Sequence, residues 1–197
     1  WRPAAWAHIS GVEQVGLPSK WSCEWQSDFR LAQMFGWQGP APDISDWCRD
    51  LDRTRRWDVG VVPGCKGGLW LRKRYPGMKD VAAHFLARGK SVGVFGMESD
   101  GVAEIPGEHI ATPDIVTLPD ALAGCGMVIG TDSGLTFLAS SLGVPVVEVY
   151  TATSEIKAAP IGPHRQVFAT LPCRPCVSTP KWQQCRNWKC GEIEPAA

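Results

Sequence analysis

Short apolar runs alternate with amphipathic segments from Trp57 to Tyr150, and this alternation predicts the architecture. Four runs have the length and composition of strands: "WDVGVV", "SVGVFG", "MVIG" and "VPVVEVY". A fifth segment, "DIVTLPDALAGCG", is interpreted as a short strand or turn followed by a short helix. Strands that alternate with helices of this length indicate an α/β domain whose parallel sheet is covered by helices on both faces.

Two longer helices are predicted between these strands. The helix in "PGMKDVAAHFLARG" has four apolar residues on one face and a terminal glycine, namely Val81, Ala82, Phe85, Leu86 and Gly89. The helix in "SGLTFLASSLG" has four apolar residues at positions i, i+3, i+4 and i+7, namely Leu135, Leu138, Ala139 and Leu142. Each helix therefore offers one apolar stripe to the sheet.

The same pattern divides the chain into three parts. Residues 1–50 show no complete alternation of strands and helices, and only one helix is predicted there, between Trp25 and Phe35. The segment "QGPAPDISD" is interpreted as a linker because it contains two prolines and a glycine. We predict an α/β domain over residues 51–170 and a cysteine-rich tail over residues 171–197.

Composition and charge mainly exclude partners and locations. Lys plus Arg and Asp plus Glu both number 20, so no net charge attracts nucleic acid and no nucleic acid partner is expected. No apolar run approaches the roughly 20 residues that a membrane-spanning helix needs, and no signal peptide is visible. We therefore expect a cytoplasmic protein, and a location at the inner membrane surface stays open.

Four of the eight cysteines are concentrated in the tail, at Cys173, Cys176, Cys185 and Cys190. The first pair has the Cys-x2-Cys spacing of metal ligands, whereas the second pair is less regular. Without a secretory signal we expect a reducing compartment, which favours a structural zinc or iron ion held by these four thiolates. Free thiols or disulfides are the alternative interpretation.

Three loops are predicted at the carboxyl ends of the strands, where parallel α/β sheets bind their ligands. The loop Pro63–Pro76 combines glycines with four cationic residues, Lys66, Arg72, Lys73 and Arg74. The loop Phe95–Gly101 contains two acidic residues, Glu98 and Asp100. The third loop, "GTDSG", leads into a helix whose N-terminal N–H groups suit a phosphate group.

Each loop also has a simpler interpretation. Ser133 or Asp132 could serve only as the N-cap of the helix. The basic run could be a solvated surface, and the acidic residues could belong to a turn. Two loops suited to phosphate at one edge of the sheet favour a phosphate-binding site over these separate explanations.

Longer stretches around these loops resemble glycosyltransferase family 9, the heptosyltransferases. "GTDSGLTFLASSLGVPVVEVYTATSE" is similar to the donor-binding signature of that family. "VVPGCKGGLWLRKRYPGMKDVAAHFLARGKSVGVFG" resembles its "HPGxxxxxKRWP" stretch, and "IGPHRQVFATLPCRPC" resembles its Cys-x-Pro-Cys tail. The resemblance covers about Trp57 to Cys190 and implies a GT-B fold. This chain would supply its Rossmann-like donor-binding half, and residues 1–50 would be the end of the acceptor domain and the connecting helix.

The resemblance also implies roles for particular residues. Lys73 matches the lysine of "KRWP", which contacts the donor diphosphate, and Glu98 matches an acidic residue that contacts the ribose. Lys73 and Asp132 are the predicted catalytic residues. The predicted donor-binding set is Gly64, Lys73, Glu98, Thr131, Asp132, Ser133 and Gly134. Three departures concern the donor sugar and base: Phe137 stands where the family often has His, Thr151-Ala152-Thr153 replaces Gly-Pro-Thr, and the loop before Lys73 is long.

By this resemblance the chain takes part in lipopolysaccharide-type sugar transfer from a nucleoside diphosphate sugar, ADP-heptose-like, to a hydroxyl of a glycan or protein. The transfer would invert the anomeric carbon, and Lys73 with the helix N-terminus would stabilise the leaving diphosphate. Nothing in the chain matches the family's general-base Asp, so an amino-terminal acceptor domain in the same or another chain is expected. The alternatives are a non-catalytic nucleotide-sugar-binding or assembly domain, and a metal-finger interaction module.

Overall fold

The computed structural model describes residues 29, 32–40, 50–111, 116–177 and 179–193. Its centre is a sheet of six strands: β1 (Trp57–Val62), β2 (Val92–Gly96), β3 (Glu108–Ala111), β4 (Cys125–Thr131), β5 (Val146–Tyr150) and β6 (His164–Phe168). Every neighbouring pair is parallel. Among the residues from 50 onward that the structure describes, the helices are α1 (Met78–Leu86), α2 (Leu118–Ala123), α3 (Gly134–Ser141) and α4 (Pro180–Gln184).

The strand order β3-β2-β1-β4-β5-β6 is that of a doubly wound Rossmann-like sheet. The chain builds outward from β1 to β3, returns to the centre at β4, and then builds outward to β6. Because the connections after β1 and β4 lead in opposite directions, a crevice forms between them at the carboxyl edge of the sheet. The predicted α/β class is therefore confirmed, and the topology identifies the place where a ligand site is expected.

Helices cover both faces of this sheet. On one face α1 packs through Met78 and Ala82 against valines of β1 and β2. On the other face α2 and α3 pack through Leu122 and Ala139 against a cluster that includes Phe95. Strands buried on both faces explain why the central strands read as continuous apolar runs rather than as alternating patterns.

The two longer helices form where the apolar stripes predict them. At the end of α1, Gly89 adopts a φ of +71°, and Lys90 N donates to Phe85 O at 3.1 Å. Leu86, expected on the buried stripe, is 38% exposed because it is the last residue of the helix. In α3, Ala139 is buried, and the other predicted stripe residues pack against the same core.

The two edge strands were not predicted at their observed positions. β3 forms at Glu108–Ala111, ahead of "DIVT", whose residues 114 and 115 lie outside the described ranges. β6 forms at His164–Phe168, a segment with alternating exposure and no strong apolar run. Edge strands pair on one side only, so they bury less surface and give a weaker apolar signal than central strands.

The tail is attached to the carboxyl edge of the sheet by backbone and aromatic contacts. The backbone N–H groups of Cys176 and Val177 donate to Ala152 O at 3.0 and 3.3 Å. Trp182 of α4 is 4% exposed and lies 5.9 Å from the ring of Trp70, centroid to centroid. The tail therefore packs against the loop that follows β1.

The predicted part boundaries at residues 50 and 170 stay predictions, although the sheet itself runs from Trp57 to Phe168. Of the helix expected between Trp25 and Phe35, the described residues 29 and 32–34 are helical, and the rest lies outside the described ranges. Among the described residues, no helix combines the length and the apolar character needed to cross a membrane.

Candidate functional site

An open pocket of about 250 Å³ lies where the connections after β1 and β4 meet. Seven residues line it: Lys66, Trp70, Lys73, Asp132, Ser133, Gly134 and Phe137. The first three belong to the loop after β1, and the others belong to the connection from β4 to α3 and the first turn of α3. The pocket therefore occupies the crevice at the switch point of the strand order.

Two buried hydroxyl groups fix the loop after β1 at both of its ends. Thr131, the last residue of β4, donates through Oγ1 to Gly64 O at 2.8 Å. Thr151, the residue after β5, donates through Oγ1 to Lys73 O at 3.0 Å. Both threonines are at most 2% exposed, so neither bond competes with bulk water. The backbone of the pocket wall is thus anchored to two neighbouring strands.

Gly64 is required at its position by a close approach to a second loop. A Cβ atom at Gly64 would lie 2.5 Å from the carboxyl carbon of Asp100. The same carboxylate accepts hydrogen bonds from Arg74 Nη2 at 2.9 Å and from Met97 N at 3.0 Å. Arg74, one of the four cations expected to attract phosphate, therefore pairs with Asp100 and supports the loop.

Lys73 and Asp132 form an ion pair inside the pocket. Lys73 Nζ lies 2.5 Å from Asp132 Oδ2, and the two side chains are 12% and 10% exposed. The contact is an ion pair rather than an aligned hydrogen bond, because Asp132 Oδ2 makes no hydrogen bond within the described residues. Both side chains are largely desolvated, and a ligand that supplies better hydrogen-bond geometry can replace either partner.

The pocket carries more positive than negative charge. Lys66 Nζ and Lys73 Nζ lie 5.9 and 5.4 Å from the centroid of the Trp70 ring, within the range of a cation–π contact. Asp132 is the one acidic side chain among the seven lining residues. Two ammonium groups beside one carboxylate favour an anionic ligand.

The N-terminus of α3 opens into this pocket without a side-chain cap. Ser133 stands at the N-cap position with φ −152° and ψ 163°, but its side chain makes no hydrogen bond to the helix backbone. Thr136 Oγ1 donates to Thr131 O at 2.8 Å, so at 3.1 Å Ser133 Oγ is the donor to Thr136 Oγ1. The first-turn N–H groups have no side-chain acceptor from Ser133, so they can receive an anion.

The structure brings together four of the seven residues predicted to bind a donor: Lys73, Asp132, Ser133 and Gly134. Gly64 and Thr131 are buried just beneath the pocket and contact each other through the bond described above. Glu98 is exposed in a 3₁₀ turn after β2 and does not line the pocket. Its assignment to a ribose stays a prediction.

Sequence patterns missed Glu148, which is completely buried on β5. Burial, with a smaller contribution from the Asp132 charge, raises the pKa of its carboxyl group to about 8, although the Tyr150 hydrogen bond and Lys73 act to lower it. Tyr150 OH contacts both Glu148 Oε2 and Ala158 O, the latter at 2.8 Å. One phenol proton cannot serve two acceptors. A protonated Glu148 solves this by donating to Tyr150, whose own proton then goes to Ala158 O.

The four tail cysteines are free thiols in the structure, so the disulfide alternative is not observed. Burial raises the pKa of Cys176 and Cys190, and neighbouring thiols raise it further, so the cysteines lie within electrostatic reach of one another. Yet no three His, Cys, Asp or Glu side chains in the described ranges form a group that could hold a metal ion. The predicted zinc or iron site is therefore not supported by the described residues.

The sequence and the fold of this chain are both similar to those of known proteins. The profile of Glycosyltransferase family 9 (heptosyltransferase) matches residues 50–186, well over half of the 197 residues. No curated protein matches the chain. Several solved structures share its fold.

Three of these structures show the range of similarity. A family 9 glycosyltransferase from Veillonella parvula DSM 2008 has a TM-score of 0.60 at 16% identity, covering 90% of this chain and 58% of that chain. The E. coli heptosyltransferase WaaC with ADP has a TM-score of 0.53 at 16% identity, covering 72% and 49%. The iron-containing dodecameric glycosyltransferase TibC from enterotoxigenic E. coli H10407 has a TM-score of 0.51 at 18% identity, covering 65% and 35%.

At these identities the solved structures show the fold alone, a Rossmann-like sheet of GT-B glycosyltransferases. The chain spans 58% or less of the length of each of these three relatives. Membership rests instead on the family profile, which covers both pocket loops, the whole sheet and most of the tail. The chain belongs to glycosyltransferase family 9, the heptosyltransferase family.

Proposed function

We propose that this chain binds a nucleoside diphosphate sugar and forms the donor half of a glycosyltransferase active site. The observation that carries this proposal is the position of the Lys73–Asp132 ion pair beside the uncapped N-terminus of α3. Lysine and helix N–H groups are the two common protein partners of phosphate. Both occur in one pocket of about 250 Å³, at the edge where such sheets bind nucleotides.

In this proposal the donor diphosphate lies between the two elements. Lys73 contacts it from the loop after β1, and the N–H groups after Ser133 contact it from the start of α3. Lys66 adds a second ammonium group at the exposed mouth of the pocket. The diphosphate would displace Asp132 as the partner of Lys73, because phosphate oxygens offer better aligned acceptors than the observed contact. Asp132 is then free to accept hydrogen bonds from the sugar.

The transfer step follows from this placement. The oxygen of an acceptor hydroxyl forms a bond to the anomeric carbon of the sugar, while the bond from that carbon to the diphosphate oxygen breaks. The diphosphate leaves with the electron pair, and Lys73 and the dipole of α3 stabilise its additional charge. Attack opposite the leaving group inverts the anomeric carbon. The hydroxyl proton goes to a base on the acceptor domain, for which this sequence offers no match.

An ADP-heptose-like donor is supported by two structures of one protein of the same fold. The E. coli heptosyltransferase WaaC has been solved with ADP and with ADP-2-deoxy-2-fluoro heptose. In this chain Trp70 and Phe137 provide aromatic surface in the pocket, which suits stacking on a base or sugar. We propose a glycan or protein hydroxyl as acceptor and an amino-terminal acceptor domain as partner. The cytoplasmic location stays a prediction.

Calorimetric titration with ADP tests the donor site directly. Lys73→Ala should weaken ADP binding by about 1.5–3 kcal/mol, the range for a hydrogen bond to a charged group. Lys79→Ala is the matched control, because Lys79 is an exposed lysine on α1 outside the pocket. Its ADP affinity should equal that of the parent. Equal affinities for the Lys73 variant and the parent would remove the donor-site proposal.

A second candidate function is a non-catalytic nucleotide-sugar-binding or assembly domain. The observation that favours it is that no residue of this sequence matches the family's general-base Asp. Incubation of the chain with labelled ADP-heptose and a lipopolysaccharide acceptor, alone and with a supplied acceptor domain, separates the two. Transfer in either arm supports the enzyme. Tight ADP binding with no transfer in both arms supports the binding domain.

A further inference from the structure

Arg174 links the tail to the segment that follows β5 by several hydrogen bonds. Its guanidinium donates to the backbone carbonyl oxygens of Thr151, of Thr153 at 3.1 Å, and of Ala169 at 2.9 Å. It also stacks over the ring of Phe168 at 4.8 Å. The Arg174 side chain is only 5% exposed, so its guanidinium is a buried structural group rather than a solvated surface charge.

Thr151 extends this contact to the pocket. Its carbonyl accepts from Arg174, and its hydroxyl donates to Lys73 O at 3.0 Å. Lys73 in turn places its ammonium group 2.5 Å from Asp132 Oδ2. A continuous series of contacts therefore runs from the tail, through the residue after β5, to the ion pair of the proposed donor site.

A second contact joins the same two regions. Arg72 Nη1 donates to Trp182 O at 3.0 Å, and its guanidinium lies 4.7 Å from the centroid of the Trp188 ring. The tail therefore holds Arg72, the residue before Lys73, while Thr151 contacts the carbonyl of Lys73 itself. The 3₁₀ turn Gly68–Lys73 begins at the second of two adjacent glycines, so these contacts restrain a segment that its own sequence leaves flexible.

We propose that Arg174 and Thr151 are positioning residues that hold Lys73 at the geometry needed to bind the donor diphosphate. This inference rests on the proposed function, because it assumes that Lys73 contacts the diphosphate. The two residues act through the Lys73 backbone and do not touch the ligand. Fixing the carbonyl of Lys73 fixes its Cα, so the ammonium group starts from one position rather than sampling several.

The chain offers a matched control two residues away. Thr153 lies in the same segment as Thr151 and is half-buried; its hydroxyl oxygen is itself buried but has no hydrogen bond partner within the described residues. Thr151→Val and Thr153→Val therefore make the same chemical change in the same surroundings. Only the first removes a hydrogen bond to the lysine loop.

Calorimetric titration of the whole chain with ADP and with AMP tests the inference. Thr151→Val should weaken ADP binding about threefold to tenfold, the effect of one neutral hydrogen bond. Thr151→Ser, which keeps the hydroxyl, and Thr153→Val should stay within about twofold of the parent. The loss should be larger for ADP than for AMP, because a misplaced Lys73 affects the diphosphate most. A purely structural role would lower stability without changing that ratio.

Arg174→Lys provides a second route if Thr151→Val does not fold. It keeps the charge but lacks the planar guanidinium fork whose Nε, Nη1 and Nη2 reach three separate carbonyls, so ADP binding should fall about tenfold or more while AMP binding falls less. Parental ADP affinity in the Thr151→Val or Arg174→Lys variant, or equal losses for ADP and AMP, overturns the positioning role. If Lys73→Ala still weakens ADP binding in that case, the proposed function survives alone. A parent chain that does not bind ADP overturns both.

Discussion

The connection between β4 and α3 and the cysteine-rich tail both carry dense runs of chemically active residues, yet the structure uses them differently. In the connection, Asp132, Ser133 and Gly134 line one pocket, as their spacing predicts. In the described part of the tail, no three His, Cys, Asp or Glu side chains form a group that could hold a metal ion, whereas Arg174 donates to Ala169 O and Trp182 is buried.

The two regions differ in how much of the fold is needed to position their side chains. A strand that runs into a helix fixes the backbone of the residues between them, so a short sequence pattern is enough to place them. Two cysteine pairs separated by eight residues must be brought together by the path of the chain between them. Spacing therefore brings Asp132, Ser133 and Gly134 to one pocket, whereas the described part of the tail shows no group that could hold a metal ion. Donor binding in the pocket stays a prediction.

The largest expected effect tests whether the tail is a structural part of the domain. Trp182→Ala should lower the free energy of unfolding by about 3–5 kcal/mol, because it empties a site packed against Trp70, Ala152 and Cys176. Trp37→Ala is the control, since Trp37 is 49% exposed and should change stability by less than about 1 kcal/mol. Urea unfolding measures both. Similar small losses would mean that the tail is a separate appendage.

A smaller effect is expected on the pocket side, from the buried carboxyl of Glu148. Its pKa is raised to about 8 in the folded chain, from 4.5 as the ordinary value. Between these two pH values the unfolded state loses the proton and the folded state keeps it, so stability falls as pH rises from about 4.5 to about 8. Glu148→Gln keeps a donor for Tyr150 and removes this titration.

Thermal unfolding at pH 5 and pH 8 measures this effect. The parent should lose stability between the two pH values, and the Glu148→Gln variant should lose less, with a difference on the order of a few kcal/mol. Glu104→Gln, at an exposed turn position, should keep the parental dependence. The same pH slope in all three proteins would show that Glu148 is ionised in the folded chain.

Glu148 and Thr151 also show why part of the site could not be predicted. The pocket loops were recognised because glycines, lysines and the Thr-Asp-Ser-Gly turn follow apolar strands. Glu148 matters because the register sets it beside Gly130 of β4, and Thr151 matters because it reaches a carbonyl on a distant loop. Both depend on pairing between segments far apart in the sequence, which no local pattern records. The central strands were predicted because they are buried on both faces, whereas β3 and β6 at the edges were not.

The smallest expected effect concerns the tail thiols. It tests whether they are free thiols or the ligands of a metal ion. Cys173 is an exposed free thiol, so Cys173→Ser should change the free energy of unfolding by less than about 0.5 kcal/mol.

Iodoacetamide at neutral pH should modify Cys173 before Cys176 and Cys190, because burial and a raised pKa keep the latter two thiols protonated and shielded. Mass spectrometry of the alkylated chain follows the order. If Cys173→Ser is strongly destabilising, and no tail cysteine reacts until a chelator is added, the thiols hold a metal ion. The structure of the tail would then depend on the spacing of its metal ligands, just as the structure of the pocket depends on the loop between β4 and α3.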